Sequence, residues 1–116
     1  MSEVNTYNIK VHQGETWSMT ATIKDDNDTA VDLTDYTAKM QIRNKPGGTL
    51  LKELATGGSG ITINASTGEV ALAMTATETA ALAFREGVYD LYIESSSNTR
   101  TYLIKGRFTV AQRVTQ

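Results

Sequence analysis

The residues of this chain that could do chemistry are few and poorly matched to one another. His12 is the only histidine, and there is no cysteine. A nucleophile–histidine–acid triad or a mononuclear zinc site would need companions that the chain cannot supply. His12 closes an alternating run and precedes Gln13-Gly14, the setting of an exposed turn residue. The densest acidic cluster is Asp25-Asp26-Asn27-Asp28. Oxygen ligands at alternating positions can hold calcium, but the glycine and distal glutamate of an EF-hand loop are missing. Such side chains bond their own backbone in tight turns, so a solvated hairpin turn is the simpler expectation. Glu86 and Asp90 flank Tyr89, with Asp32 and Asp35 elsewhere. A carboxylate pair can run glycoside hydrolysis. No aromatic sugar platform accompanies these beyond scattered tyrosines, and with 21% of residues charged, isolated carboxylates are expected on any surface. Gly57-Gly58-Ser59-Gly60 lacks the Lys-Ser/Thr ending of a phosphate loop, and no long helix follows it. The sequence therefore predicts no catalytic, cofactor-binding or metal-binding residue, and no cofactor.

Composition narrows the function classes further. A chain of 116 residues is near the common size of one domain. Folding at this length buries roughly 65% of the surface the unfolded chain exposes, enough for one core without staples. Without cysteine, disulfides and thiolate metal sites are excluded, and folding in a reducing cytoplasm is expected. The net charge is -2 with both signs scattered, so no phosphate-tracking surface and no nucleic-acid partner are predicted. No apolar run approaches the ~20 residues of a membrane-spanning helix, and Met1-Ser2-Glu3-Val4-Asn5 lacks the layout of a signal peptide. Abundant threonine and a single proline, Pro46, suit pleated sheets with wet outer faces.

What would position these residues is a series of short alternating segments. Tyr7, Ile9 and Val11 alternate with Asn8 and Lys10, a short strand with one buried face. In Thr16–Lys24 the set Trp17, Met19, Ala21 and Ile23 opposes Ser18, Thr20, Thr22 and Lys24. A one-residue slip there would expose Trp17, so its register should be firm. Leu33 should plug one end of the core. Ala38, Met40 and Ile42 alternate with Lys39, Gln41 and Arg43, and Asn44-Lys45-Pro46-Gly47-Gly48 is the strongest turn signal. Leu50–Leu54 reads as an edge strand, Ile61–Ile63 as a short strand, and Val70, Leu72 and Met74 as another. The period then changes. Thr75-Ala76-Thr77-Glu78 matches a capping box, followed by about two helical turns ended by Gly87. Val88–Glu94 and Arg100–Val110 should pair around Ser95–Thr99, with Tyr89, Leu91 and Ile93 inward. Tyr102, Ile104, Gly106, Phe108 and Val110 fall in one parity set, Leu103 in the other, and Gly106 marks a bulge or a close neighbour.

These segments predict an all-β fold: an immunoglobulin-like β-sandwich of about seven or eight strands, with one short helix before the penultimate strand. The predicted core comprises Trp17, Met19, Ile23, Met40, Ile42, Leu72, Tyr89, Leu91 and Phe108. One domain should span 1–116, with ends (about 1–6 and 112–116) frayed unless a partner orders them. Tyr89 follows the helical corner, where sandwiches place a tyrosine whose hydroxyl bonds upstream backbone. Candidate partner contacts are Leu50, Lys52 and Leu54 on the edge strand, with Tyr92 and Tyr102 as aromatics on outward or edge faces. The same residues also fit an edge guarded by Lys52 and Glu53, and ordinary cross-strand packing. The Met1–Thr6 arm and the Arg113–Gln116 tail are further contact points.

Several stretches together carry a family resemblance. Gly14-Glu15-Thr16-Trp17 opens a strand, and Asp32-Leu33-Thr34-Asp35-Tyr36 leads into Met40-Gln41-Ile42-Arg43. Gly48-Thr49-Leu50-Leu51 precedes Gly60-Ile61-Thr62-Ile63, and Thr67-Gly68-Glu69-Val70 precedes the helix. Gly87-Val88-Tyr89-Asp90-Leu91 then precedes Leu103-Ile104-Lys105-Gly106. From about Gly14 to Val114 the chain resembles the small immunoglobulin-like virion proteins of tailed bacteriophages. It is also similar to the N-terminal anchoring domains of phage baseplate and fibre proteins. The resemblance implies a non-enzymatic structural part of the virion, made in the host cytoplasm. Such a part would be present in multiple copies on a symmetric assembly and docked on other virion proteins at the head, neck or tail, as a decoration or adaptor. It carries over no catalytic residue, and implies neither nucleic acid nor membrane as partner. No collagen-like, coiled-coil or fibre segment follows the sandwich, so an appendage would be a second polypeptide. A carbohydrate- or receptor-binding module facing the host surface is the alternative, and it predicts exposed aromatics gathered in one concave patch. A small hydrolase would instead need converging carboxylates in a pocket.

Overall fold

The computed structural model describes residues 5–25, 27–57 and 60–112. In chain order the strands are β1 (Asn5–Thr6), β2 (Ile9–His12), β3 (Trp17–Thr22), β4 (Thr37–Arg43), β5 (Leu50–Ala55), β6 (Ile61–Asn64), β7 (Glu69–Met74), β8 (Glu86–Glu94) and β9 (Arg100–Ala111). A short helix, α1 (Ala76–Ala80), stands before the penultimate strand. One sheet, A, runs β1-β9-β8-β4-β5, with β2 continuing beside β9; the other, B, runs β3-β7-β6. This is the immunoglobulin-like sandwich expected from the alternation. β1 and β2 pair with β9 in one continuous parallel register, Asn5 opposite Ile104 and Ile9 opposite Phe108. They form a single edge strand interrupted at Tyr7-Asn8, and at this break Tyr7, expected on the buried face with Ile9 and Val11, is instead 53% exposed. Asn5 and Thr6, expected to fray, are therefore part of the sheet.

The alternating positions meet between the layers. Met40, Ile42, Leu54, Val70, Leu72, Met74, Leu91 and Phe108 are sealed in the core, with Ile23 and Tyr89 almost so. Phe108 is its aromatic centre, with the rings of Trp17, Phe84 and Tyr89 all packed around it at 6.1–6.3 Å. Leu33 plugs one end, as its position predicts. Trp17 and Met19 face the core but stay half-buried, because β3 is an edge of the narrower sheet and lacks a neighbour on one side.

Three expectations are corrected. The helix ends at Ala80, well before Gly87, because Leu82 and Phe84 turn in to close the sandwich end. Gly87 lies inside β8, where a Cβ would sit 2.7 Å from the Arg43 carbonyl oxygen; its role is close strand approach. The bulge in the last hairpin lies at Leu91/Tyr92, not at Gly106. There Leu103 is the extra residue: it enters the core together with Ile104, while Tyr102 turns to the outer face opposite Tyr92. Gly106 answers to the other reading offered for it, a close neighbour, since a Cβ there would collide with the Tyr7 carbonyl.

Candidate functional site

Three polar arrangements stand out. The first is at the helix end. The predicted capping box is present: the Thr75 hydroxyl accepts from the Glu78 amide at 3.1 Å, and the Glu78 carboxylate accepts from the Thr75 amide at 2.9 Å. That bond, chiefly, holds the Glu78 carboxyl below its ordinary value. One turn on, fully buried Thr79 accepts from Gly14 N–H at 3.0 Å and donates to the Glu15 carbonyl at 2.8 Å. Gln13 adds an amide donation to the Leu82 carbonyl at 2.8 Å. A helix of this length cannot hold itself. These bonds fasten it to the β2–β3 turn. Thr79 carries no sequence signal beyond its place in the helix, and it was not anticipated.

The second arrangement fixes the amino-terminal strand. The Tyr89 hydroxyl donates to the Tyr7 carbonyl, where the edge strand breaks, and the Arg107 amide donates to Asn8 Oδ1 at 3.0 Å. Tyr89 stands opposite Gly106, so its ring passes where a larger side chain would have stood. Burial, and then the neighbouring Tyr7, push the Tyr89 phenol well above its ordinary value, so it remains a donor. The corner tyrosine is expected to bond upstream backbone, and it does: its partner is the Tyr7 carbonyl, on the far side of β9.

The third is a trough of about 650 Å³ on the outer face of sheet A. The outward set of β4, β8 and β9 builds its floor, and Pro46-Gly47 of the β4–β5 turn and Thr6 flank it. Glu53 on β5 accepts from Gln41 Nε2 on β4 at 2.6 Å, Gln41 Oε1 accepts from Arg43 at 3.0 Å, and Arg43 also donates to the Gly48 carbonyl at 2.7 Å. This relay pins the Arg43 guanidinium. Arg100 lies over the Tyr92 ring, 4.1 Å from its centroid, and the Tyr102 ring meets Tyr92 edge-on at 5.4 Å. Asp90 sits between Gln41 and Lys105 in the pairing register. Burial raises its carboxyl above the ordinary value, opposed through space by Arg100 and Arg43.

The predicted partner contacts divide on inspection. Leu50 is exposed at 43%, and β5 is an edge strand as expected. Leu54 is 0% exposed: it faces Met40 across the ladder and belongs to the core, so it offers nothing to a partner. Lys52 forms an ion pair with Glu78 at 3.6 Å, tying the edge to α1. Tyr92 does face outward, but Arg100 and Tyr102 cover it to 9% exposure, while Tyr102 keeps 39%. His12 is exposed and 3.8 Å from Glu15. Asp26, Gly58, Ser59 and residues 1–4 and 113–116 lie outside the described residues. Asp25 accepts from the Asn27 and Thr29 amides, the self-bonded turn expected of that segment. Glu86 pairs with Arg107 at 3.7 Å rather than with Asp90. Among the described residues no group of His, Asp and Glu could hold a metal ion.

No protein-family model matches the chain, and no curated protein matches its sequence. Solved structures do. A chicken TCR shares 16% identity at a TM-score of 0.56; the match covers 96% of this chain, which spans only 56% of that one. The N-terminal domain of phage TP901-1 ORF48 shares 8% identity at a TM-score of 0.57, covering 95% of this chain and 91% of that domain. At these identities the likeness is one of fold. It places the protein in the class of immunoglobulin-like β-sandwiches.

Proposed function

We infer that this chain is a non-enzymatic structural module of a tailed bacteriophage particle. It docks on a larger virion protein at the head, neck or tail, as a decoration or an appendage adaptor, in multiple copies on a symmetric assembly. The observation that carries this reading is the mutual extent of the match to the N-terminal domain of phage TP901-1 ORF48: nearly all of each chain is matched. The matched phage domain and this sandwich share a fold over nearly the whole of each, whereas the TCR match uses about half of a longer chain. The site chemistry agrees. Among the described residues the outward polar groups are spread over a pleated face and do not converge on a reacting atom, which suits association rather than turnover. Neither nucleic acid nor membrane enters this reading. The test is immunogold labelling of intact particles with antibody to this protein. Gold at a fixed, symmetric place on the particle is expected; unlabelled particles from producing cells would overturn the reading.

One observation favours a second reading, a carbohydrate- or receptor-binding module. Tyr92 and Tyr102 do share one concave outer face. Against it, the Tyr92 ring is already occupied by Arg100, which leaves one exposed ring for stacking. Binding of the isolated protein to a glycan array would favour it.

A further inference from the structure

We propose that the trough on the outer face of sheet A is the docking site, and that its occupant is an extended acidic peptide segment of a partner virion protein. The proposal rests on the structural role inferred above and names the surface that role would use.

Charge makes the first argument. The chain as a whole carries -2, yet Arg43, Arg100 and Lys105 line the trough against the carboxylates of Asp90 and of Glu94, which pairs with Arg100 at 3.5 Å, leaving a local excess of positive charge. The local field is cationic on an anionic protein, which is a complementarity signal rather than a solubility device. Order makes the second. Arg43 is held by Gln41 and Gly48, and Arg100 by the Tyr92 ring and by the Glu94 carboxylate at 3.5 Å. Guanidinium groups fixed in this way lose little entropy on accepting a carboxylate, and their planar donors match it two-fold. Lys105 makes no ion pair or side-chain hydrogen bond among the described residues, although Asp90 stands opposite it. Tyr102, exposed at the rim, supplies the amphipathic anchor that interfaces favour.

Shape and spacing select the occupant. Alternate residues of an extended peptide stand about 6.8 Å apart, the repeat of the outward positions along β8 itself. Acidic residues at that spacing can reach the cations while straddling Asp90. The other free surfaces are poorer. The β5 edge has Lys52 engaged by Glu78 and Leu54 inside the core. The outer face of sheet B presents Ser18, Thr20, Thr22, Thr62, Ala71 and Ala73, without a cation.

The test titrates ¹⁵N-labelled full chain with a synthetic peptide alternating Glu and Ser, its Gln/Ser counterpart, a neutral oligosaccharide and a short oligonucleotide. Amide shifts clustered on Arg43, Asp90, Arg100–Lys105 with the Glu peptide alone are expected. Lys105→Glu with Arg100→Glu should weaken that binding at least ~10-fold, as should raising salt through the range where screening sets in. The milder pair Lys105→Gln and Arg100→Gln serves if the reversal impairs folding. No Glu-peptide binding, shifts elsewhere, equal response to the Gln peptide, or preference for saccharide or oligonucleotide would each overturn the proposal. Particle incorporation separates it from the reading beneath it. Wild type absent from particles defeats the structural role itself, whereas wild type and double variant incorporated equally defeat only the trough.

Discussion

Thr79 and Asp90 are both polar side chains set against a pleated layer, and the fold treats them oppositely. Thr79 is fully enclosed; its hydroxyl accepts from the Gly14 amide and shares its one proton between the Glu15 and Ala76 carbonyls. Asp90 is half-covered, makes no hydrogen bond among the described residues, and is surrounded by cations it does not touch. A saturated buried group specifies structure, since nothing is left over for a ligand. An unsaturated group among ordered charges is poised for something else. The contrast separates what holds this sandwich together from what is available for a partner.

Substitutions can break that contrast, and the largest effect is expected at the saturated site. Thr79→Val keeps the shape but strands the Gly14 amide and the Glu15 carbonyl, and should cost about 1–3 kcal/mol in chemical denaturation. A loss near zero would mean that α1 is not fastened by this side chain. Next comes the strand clamp. Tyr89→Phe should cost about 1 kcal/mol. It should speed hydrogen exchange at Tyr7–Ile9, leaving α1 protected; unchanged exchange would argue that edge pairing alone holds the first strand.

At the trough the sign should reverse. Asp90 has a raised carboxyl pKa, so the native state binds the proton more tightly than the unfolded chain. Stability from this group is therefore present at low pH and lost as pH rises from the ordinary carboxyl value through the raised one. Asp90→Asn should stabilise the fold at neutral pH by less than about 1 kcal/mol, because the half-covered site is screened by solvent, with the gain vanishing near pH 4 in chemical denaturation. Destabilisation at pH 7 would show that Arg43 and Arg100 do pair with it in solution. Smallest of all, Lys105→Glu should change stability by no more than about 0.5 kcal/mol while acting on particle incorporation. A large stability loss would make Lys105 structural and erase the distinction.

Much of the sandwich is legible in the chain, because period-two alternation states which face is buried without reference to any partner strand. The segments around Met40, Leu72 and Leu91 obey it, and so does the Thr75–Glu78 capping box, which is a local bond pattern. Alternation fails at Tyr102 because a bulge adds one residue, and bulges are fixed by the neighbouring strand. It misplaces Leu54 as a contact because an edge strand still turns one side inward. Thr79 gave no signal because its partners lie 64 and 65 residues away.

Local order is what residue type and spacing determined here: two pleated layers, a capped turn of helix, the tight turns and the absence of thiol chemistry. Tertiary structure alone decided the parallel pairing of the first strand with the last, the Tyr89–Tyr7 clamp and the gathering of Arg43, Asp90, Arg100 and Lys105 on one outer face. The reason is range. Alternation is written residue by residue, whereas a shared face depends on registers between strands up to about a hundred residues apart, and those are set only when the whole core closes.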